Sequence, residues 1–333
     1  MLDNPLAPPW LIRPGDANAL ESPLWPATAQ RTPSGELAIG GVSASRLAAD
    51  YGTPLYVVDE ADARARAART REAFVSAFAA HGSSATVYKP SKALLTTEVA
   101  RWMVEAGLRL DVASGGELAV ALAAGVDPAL LGLHGNNKSL AEIDRAVAAG
   151  VGAIVLDSLE EVERVDEAAQ RHGRTQAVRL RINSGVHAHT HEYLATARED
   201  QKFGIPLVDA AAAVTAIRAR PSLRFLGLHS HIGSQIFVVD GFLEAARRLL
   251  TVHAELLAGG DVPELNLGGG FGIAYTSVDR LTPIDEIATD FARVIETECS
   301  ALGIPVPELA IEPGRAIIGT PGVTLYEVGT TKP

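Results

Sequence analysis

Cysteine and positive charge are both scarce in this 333-residue sequence. A single cysteine, Cys299, leaves no partner for an intramolecular disulfide, so we expect a reducing, cytoplasmic environment. Lys and Arg total 29 against 40 Asp and Glu, which gives a net charge of −11. Because phosphate backbones require a basic face, the chain is not expected to act on nucleic acid.

Long hydrophobic runs are also missing. No stretch of about 18 apolar residues is present, so no membrane span is expected. The N-terminus lacks the basic-then-apolar pattern of a signal peptide, and residues 1–35, rich in proline and turn formers, predict an extended arm. What the chain does have is 47% apolar residues, enough for a globular protein with a sizeable core.

Between about residues 59 and 315, short β-rich runs alternate with longer Ala/Leu/Glu/Arg stretches of helical character. Such alternation predicts parallel strands joined by right-handed helical crossovers. Eight units favour a closed (β/α)₈ TIM barrel, with an open doubly wound sheet as the alternative. The predicted strands are ATVYKP (85–90), LRLDVAS (108–114), LLGLHGN (130–136), AIVLDS (153–158), AVRLRIN (177–183), FLGLHSHI (225–232), ELNLGGG (264–270) and ELAIEPG (308–314).

Both flanks of the predicted barrel differ from it. Residues 36–58 hold short strand-like pieces around a small helix, and residues 316–333 contain one more β segment. We therefore expect a barrel over 59–315 and a partial β domain formed from both termini, of which 316–333 is only the beginning.

Chemistry in a barrel of this kind takes place at the C-terminal ends of the strands. Nearly every predicted strand ends in groups that can bind, donate or titrate, which a purely structural barrel would not need. They are Lys89 and Lys92, Asp111 and Ser114, His134 and Asn136, Asp157 and Ser158, Arg181 and Asn183, His229, His231 and Ser234, Gly268, Gly269 and Gly270, and Glu312 and Arg315.

Two of these strand ends carry short motifs. In NLGGGFG (266–272), successive glycines let backbone N–H groups approach a phosphate, although an ordinary tight turn has the same composition. In IEPGRAI (311–317), the glutamate can bond a ring nitrogen and the arginine can hold a carboxylate. A surface salt bridge is the alternative there.

Histidine-rich stretches raise the question of a metal. HSHIGSQ (229–235) places two histidines on one face of a strand, but no third ligand stands out and Gly-Ser favours phosphate or ring contact. HAHTHEY (187–193) is equally compatible with a polar loop. No metal site is predicted.

A lysine, a glycine-rich phosphate loop and an acid for a ring nitrogen together specify pyridoxal 5′-phosphate (PLP). Lys89 and Lys92 would face opposite ways on a regular strand, so only one of them can reach the cofactor aldehyde. A cationic Lys89 nearby would help depress the amine pKa of Lys92.

Several stretches closely resemble the diaminopimelate decarboxylases, of the alanine-racemase-like, fold-type III class of PLP enzymes. They are HGNNKS (134–139), HTHEYLATAREDQKFG (189–204), HSHIGSQIF (229–237), NLGGGFGI (266–273) and EPGRAI (312–317). The triple glycine and EPGR are shared with ornithine and arginine decarboxylases. Where the family usually has an aromatic and a small residue before its lysine, this chain has Lys89 and Pro90.

The resemblance implies a role for each matching position. Lys92 matches the lysine that is joined to the cofactor, His231 the histidine that stacks on the ring, and Glu312 the acid at the pyridine nitrogen. Arg315 matches a contact to the substrate carboxylate. The remaining cofactor-binding positions, together with Arg315, are Gly233, Ser234, Gly270, Pro313 and Gly314.

The function implied is decarboxylation of meso-2,6-diaminopimelate to L-lysine and CO₂, the last step of lysine biosynthesis. The resemblance also implies a homodimer with shared active sites, and family members run on for roughly another hundred residues. The alternatives are an ornithine- or arginine-type decarboxylase and a catalytically silent PLP-binding homologue that lacks the C-terminal region.

Overall fold

The structure, a computed structural model, describes residues 16, 18–20, 23–186 and 202–331. Its strands are β1 (Gln30–Arg31), β2 (Leu37–Ile39), β3 (Val42–Ser43), β4 (Leu55–Val58), β5 (Ala85–Pro90), β6 (Arg109–Val112), β7 (Leu131–Leu133), β8 (Ala153–Leu156), β9 (Gln176–Asn183), β10 (Ile205–Pro206), β11 (Leu223–His229), β12 (Glu264–Asn266), β13 (Glu308–Ile311) and β14 (Gly322–Leu325).

The helices alternate with these strands. They are α1 (Ala44–Tyr51), α2 (Glu60–Ala79), α3 (Thr97–Glu105), α4 (Gly115–Ala123), α5 (Leu140–Ala149), α6 (Leu159–Arg171), α7 (Ala210–Arg218), α8 (Asp240–Leu257), α9 (Ile284–Leu302) and α10 (Gly314–Ile318). No helix in the described part of the chain is long and apolar enough to cross a membrane.

Eight parallel strands form a closed barrel. The order is β5, β6, β7, β8, β9, β11, β12 and β13, and β13 pairs with β5 through Leu309–Ala85, Ala310–Thr86 and Ile311–Val87. All eight predicted strand segments contribute a strand, so the TIM-barrel prediction is confirmed. The open doubly wound sheet is wrong because the first and last barrel strands are hydrogen-bonded to each other.

Two serines from the predicted strand ends turn out to be helix caps. The Ser114 hydroxyl accepts from the Glu117 N–H at the start of α4, and the Ser158 hydroxyl accepts from the Glu161 N–H at the start of α6. A capping serine satisfies a backbone donor that the helix leaves unpaired. Their position after a strand therefore has a structural cause.

A group of four phenylalanines anchors the loop that carries the glycines. Phe271, directly after the triple glycine, stacks on Phe242 of α8 with ring centroids 4.9 Å apart. Phe74 of α2 and Phe291 of α9 complete the cluster, with centroid separations of 5.5–6.2 Å. Edge-to-face and stacked rings pack with fixed geometry, so this cluster holds the glycine loop against three outer helices.

Below the mouth, the barrel interior is partly polar. Arg179 of β9 is 1% exposed and pairs with Glu264 of β12, with Nη2 2.9 Å from Oε2. The same nitrogen lies 2.7 Å from the Tyr88 hydroxyl. A buried guanidinium needs such partners to offset its desolvation. The three side chains therefore form a hydrogen-bonded polar group inside the barrel.

Segments from both ends of the described chain meet beside the barrel. β4 and β14 pair antiparallel, with Leu55 opposite Leu325 and Val58 opposite Gly322. β1, β2 and β3 form a separate antiparallel sheet, so a short strand lies within the predicted arm of residues 1–35. The predicted domain limits of 36–58, 59–315 and 316–333 stay predictions.

Candidate active site

A cavity of about 350 Å³ opens at the C-terminal ends of the barrel strands. This is the end at which barrel enzymes carry their chemistry. Residues from six of the eight strand ends, together with Phe203 just before β10, line it: Pro90, Lys92, Asp111, Ala113, His134, Gly135, Arg181, Phe203, His229, His231, Ser234 and Glu312.

The structure separates the two lysines. β5 ends at Pro90, and Lys92 lies on a single 3₁₀ turn, Ser91–Ala93, from which its side chain reaches the cavity. Lys89, on the strand itself, is 0% exposed and does not line this cavity. The two residues therefore differ in direction because the strand ends between them, not only because of strand alternation.

Glu312 lies at the end of β13 and is almost fully buried. Its Oε1 is 3.0 Å from Nε2 of His229 and 3.7 Å from Nε2 of His134. Burial by itself opposes ionisation, yet His229 and His134 hold the pKa of this carboxyl well below its usual value. Glu312 is therefore an ionised acceptor pointing into the pocket.

His229 completes that arrangement as a neutral donor. Its burial lowers the pKa to about 4, against the favourable influence of Glu312. Because the carboxylate can only accept, His229 donates its Nε2–H and leaves Nδ1 unprotonated. A neutral imidazole thus fixes one oxygen of Glu312.

Asp111 and His134 form a second acid–imidazole pair beside Glu312. Asp111 Oδ1 and His134 Nε2 are 3.0 Å apart. Burial raises the pKa of Asp111, with His134 opposing the rise and Glu312 adding to it. Two buried carboxyl groups so near each other cannot both ionise without nearby positive charge, so the protonation of this pair is linked to that of Glu312.

His231 is held in one tautomer by the glycine loop. The backbone N–H of Gly269 donates to Nδ1 of His231 at 3.1 Å, which places the ring proton on Nε2. Desolvation, followed by the nearby Lys92 amine, lowers the pKa of His231 to about 3. A neutral, oriented imidazole is therefore presented to the cavity.

Close packing explains the glycines at this end of the barrel. A Cβ on Gly269 would overlap the Glu312 carbonyl oxygen, and one on Gly270, whose φ is +117°, would overlap the Gly233 carbonyl oxygen. A Cβ on Gly314 would lie 3.3 Å from the Ala93 Cβ. The glycine loop after β12 can therefore approach the end of β13 and Gly233 only without side chains, and the Lys92 turn packs tightly against Gly314.

Arg315 and Gln235 tie these loops together. The Arg315 guanidinium donates to Ser234 Oγ at 3.2 Å and to Gln235 Oε1 at 3.1 Å. Gln235, which has a positive φ of 59°, also donates its side-chain amide to the Ile273 carbonyl at 2.6 Å. Arg315 therefore orients the Gly233–Ser234 loop in this structure.

Arg181 and Phe203 close one side of the cavity. The Arg181 guanidinium carbon lies 4.4 Å from the centre of the Phe203 ring, and a guanidinium nitrogen lies 3.8 Å from Asp157 Oδ1. Burial lowers the pKa of Arg181, opposed by Asp157. This pair adds a cation beside the ionised Glu312.

Of the positions predicted from the sequence, Lys92, His231, Ser234 and Glu312 line the cavity. Gly233, Gly270, Pro313, Gly314 and Arg315 adjoin it without lining it. The HAHTHEY stretch (187–193) lies outside the described residues, which stop at 186 and resume at 202. Sequence reasoning gave no role to Phe203 or Gln235, since both lie in irregular segments where no periodic pattern marks a side chain.

The ligand atoms of His134, His229 and Glu312 lie within 4.8 Å of one another. Two imidazoles and a carboxylate are a donor set that suits zinc or a similar ion. However, Glu312 already accepts from His229 in a pocket rimmed by a lysine and glycine loops, which is the arrangement an organic phosphate cofactor requires.

Comparison with known proteins agrees with the interpretation of the pocket as a site for an organic phosphate cofactor. Residues 64–319 match the family model described as pyridoxal-dependent decarboxylase, pyridoxal binding domain. A diaminopimelate decarboxylase of Mycobacterium tuberculosis is 47% identical over 317 residues, covering 93% of this chain and 69% of that protein. This chain belongs to the diaminopimelate decarboxylase family.

Further members of the diaminopimelate decarboxylase family match over a similar share of the chain. The enzyme of Mycobacterium leprae is 48% identical, and the alignment covers 98% of this chain and 70% of that enzyme. The crystal structure of the M. jannaschii enzyme, also solved in complex with L-lysine, superposes with a TM-score of 0.83 at 29% identity. It covers 92% of this chain, which in turn spans 71% of that structure.

Proposed function

We propose that this chain binds pyridoxal 5′-phosphate. We further propose that the protein to which it belongs decarboxylates meso-2,6-diaminopimelate to L-lysine and CO₂. The observation that carries the proposal is the convergence of Lys92, His231 and Glu312 in one cavity at the barrel mouth. Membership of the diaminopimelate decarboxylase family supports the choice of reaction.

The residues present suit the cofactor. Glu312 is an ionised carboxylate held by His229, which suits a protonated pyridine nitrogen. His231 is a neutral ring of fixed tautomer, which suits stacking on the pyridine. The loop at 268–270 is too closely packed against neighbouring backbone for side chains, so its backbone groups are available at the surface where a phosphate would lie.

When bound, the cofactor would supply the electron sink for loss of CO₂. Lys92 would be the residue that holds the cofactor at its aldehyde carbon, since its side chain reaches the cavity. Glu312 would keep a proton at the ring nitrogen, and His231 would cover one face of the ring and exclude water from it. The pocket residues would also hold the substrate in one orientation, and such orientation contributes to the rate.

The substrate and assembly belong to the same proposal. The structure of the M. jannaschii diaminopimelate decarboxylase in complex with L-lysine supports a diamino acid ligand for this pocket. We propose that Arg315 contacts a substrate carboxylate once its present partners, Ser234 and Gln235, are displaced. We further propose a cytoplasmic homodimer with shared active sites. An ornithine- or arginine-type decarboxylase and a silent homologue are the alternatives.

Reductive trapping tests the cofactor assignment. Borohydride reduction of the protein in the presence of pyridoxal phosphate should place one pyridoxyl group on Lys92, since this lysine lines the cavity and Lys89 is buried. Peptide mapping by mass spectrometry locates the label, and Lys92→Ala is the control. A label on Lys89, or on neither lysine, would overturn the assignment.

Substrate choice is tested separately by CO₂ release from meso-diaminopimelate, ornithine and arginine, using the full natural chain that contains these residues. Release from diaminopimelate alone supports the proposed reaction. Release from ornithine or arginine would favour that alternative, and trapping of Lys92 without any CO₂ would identify a silent homologue.

A further inference from the structure

Lys89 is a fully buried lysine outside the candidate active site. The preceding residue, Tyr88, directs its hydroxyl to Arg179 inside the barrel. Because side chains alternate along a strand, Lys89 lies on the outer face of β5, in the layer between strands and helices. Desolvation there lowers the pKa of Lys89 to about 7, with Glu117 of α4 opposing the change.

The Lys89 amine has one defined acceptor. Its Nζ donates to the backbone carbonyl of Leu94. Between the two residues lies the 3₁₀ turn Ser91–Ala93, which carries Lys92. One side-chain hydrogen bond therefore spans the turn, joining the end of β5 to the residue that follows the turn.

The opposite side of this turn is fixed by packing. Gly314 at the start of α10 approaches so closely that a Cβ on it would lie 3.3 Å from the Ala93 Cβ and 3.4 Å from the Pro90 ring. The turn is thus held by contact on the α10 side and by the Lys89 amine at its base.

We propose that Lys89 is a positioning residue that holds the Lys92 turn in register with the cavity. This inference rests on the proposed function, because it assigns Lys89 a task only if Lys92 bonds to the cofactor. For stability alone, the hydrogen bond to the Leu94 carbonyl is offset by the cost of burying the amine. A buried polar group costs free energy, and an apolar chain of the same length would fill the space without that cost.

A matched pair of variants separates the hydrogen bond from the packing. Lys89→Met keeps the length of the side chain and removes the donor, whereas Lys89→Gln keeps an N–H donor without a charge. We expect Lys89→Met to be at least as stable in denaturant as the wild type. Its backbone amides at 91–94 should nevertheless exchange with deuterium faster, as measured by mass spectrometry on the cofactor-free chain.

The functional consequence is measured with the cofactor. In Lys89→Met, the apparent Kd for pyridoxal phosphate should rise about five- to tenfold, which corresponds to one hydrogen bond of ordinary net strength. Borohydride trapping at Lys92 should also slow. Lys89→Gln should stay close to the wild type in both respects.

Each outcome decides the matter. Unchanged deuterium exchange in Lys89→Met would show that the Lys89 hydrogen bond does not hold the turn. Faster exchange with unaltered cofactor affinity would show that the hydrogen bond holds the turn but does not position Lys92. Unfolding of Lys89→Met would assign the amine to the fold itself. Any of these overturns the proposal. If the wild type did not bind the cofactor at Lys92, the proposed function would be refuted instead. The exchange data would still show whether the Lys89 hydrogen bond holds the turn.

Discussion

Glu312 shows how single side chains set the chemistry of this pocket. Its carboxyl is 6% exposed, a place where an isolated acid would be protonated. His229 at 3.0 Å and His134 at 3.7 Å reverse that tendency. The ionised state of Glu312 is therefore a property of its neighbours, and the proposed role at the pyridine nitrogen depends on it.

The residue-scale prediction is that Glu312→Gln retains the cofactor but loses most decarboxylation. An amide of the same shape can still contact the ring nitrogen but does not favour its protonation. We expect kcat to fall by on the order of 10²-fold, the usual effect of deleting one preorganised electrostatic contact. Steady-state CO₂ release and cofactor absorbance measure the two quantities.

Glu308→Gln is the matched control, since Glu308 lies at the other end of the same strand and contacts Thr86. Near-normal turnover in Glu312→Gln would mean that Glu312 is not the ring partner. A parallel loss in Glu308→Gln would point to a general effect on β13.

The sequence identifies some of these residues and not others, for physical reasons. Lys92 and Glu312 follow strands at the functional end of a barrel, so their location can be predicted from periodicity. Ser114 and Ser158 stand at equivalent places but cap helices, because capping favours the same residue type at the same point. The burial of Lys89 could not be predicted, since charge favours exposure in any sequence-based estimate.

At the scale of elements, the glycine loop after β12 packs against the end of the neighbouring strand β13. Gly269 contacts the end of β13, donates to His231 and precedes Phe271 in the aromatic cluster. Its small size thus matters for how two strand ends approach each other.

The element-scale prediction is that Gly269→Ala separates the two sides of the pocket. The new methyl group would overlap the Glu312 carbonyl oxygen, which belongs to the backbone and cannot rotate away. We expect a loss of about 3 kcal/mol in unfolding free energy and a marked fall in cofactor affinity. Urea unfolding and cofactor titration test this.

Gly116→Ala in α4 provides the comparison, because a Cβ there would meet only Ser114 Oγ at 3.8 Å. Alanine is the better helix former, so that variant should be neutral or slightly stabilising. If both alanine variants behave alike, close packing at Gly269 is not the cause.

Element prediction succeeded where the pattern was periodic. All eight strand runs and the helices between them obey the alternation expected of parallel pairing. The turn that carries Lys92 has no such pattern, because Pro90 ends the strand and one 3₁₀ turn follows. The pairing of β4 with β14 joins residues from both ends of the chain, and nothing local in either segment specifies its partner.

At the scale of the whole molecule, acid sensitivity follows from buried neutral histidines. His253 of α8 is 1% exposed, and burial lowers its pKa from 6.5 to about 4. Between these values the unfolded chain binds a proton that the folded chain does not. Stability is therefore lost as the pH falls through this window, by about 1.4 kcal/mol per pH unit for one such group.

His253→Leu should flatten that dependence. We expect the free energy of unfolding of this variant to fall less steeply than the wild type between pH 6.5 and pH 4.5, while His229 and His231 still contribute. Chemical denaturation at several pH values measures the slopes. His81→Leu, at an exposed position, should keep the wild-type slope. Equal slopes in wild type and His253→Leu would contradict the assignment.

Closure of the barrel between β13 and β5 also bears on how the protein is made. The ribosome synthesises Lys92 well before Glu312, so an emerging chain carries its lysine before the opposite side of the pocket exists. Until β13 arrives, the edge of β5 is open to other partners, and pairing across so long a stretch of chain is slow. The cavity that Lys92 and Glu312 line together can therefore form only after β13 has paired with β5, so a complete pocket is a property of chains whose barrel has closed.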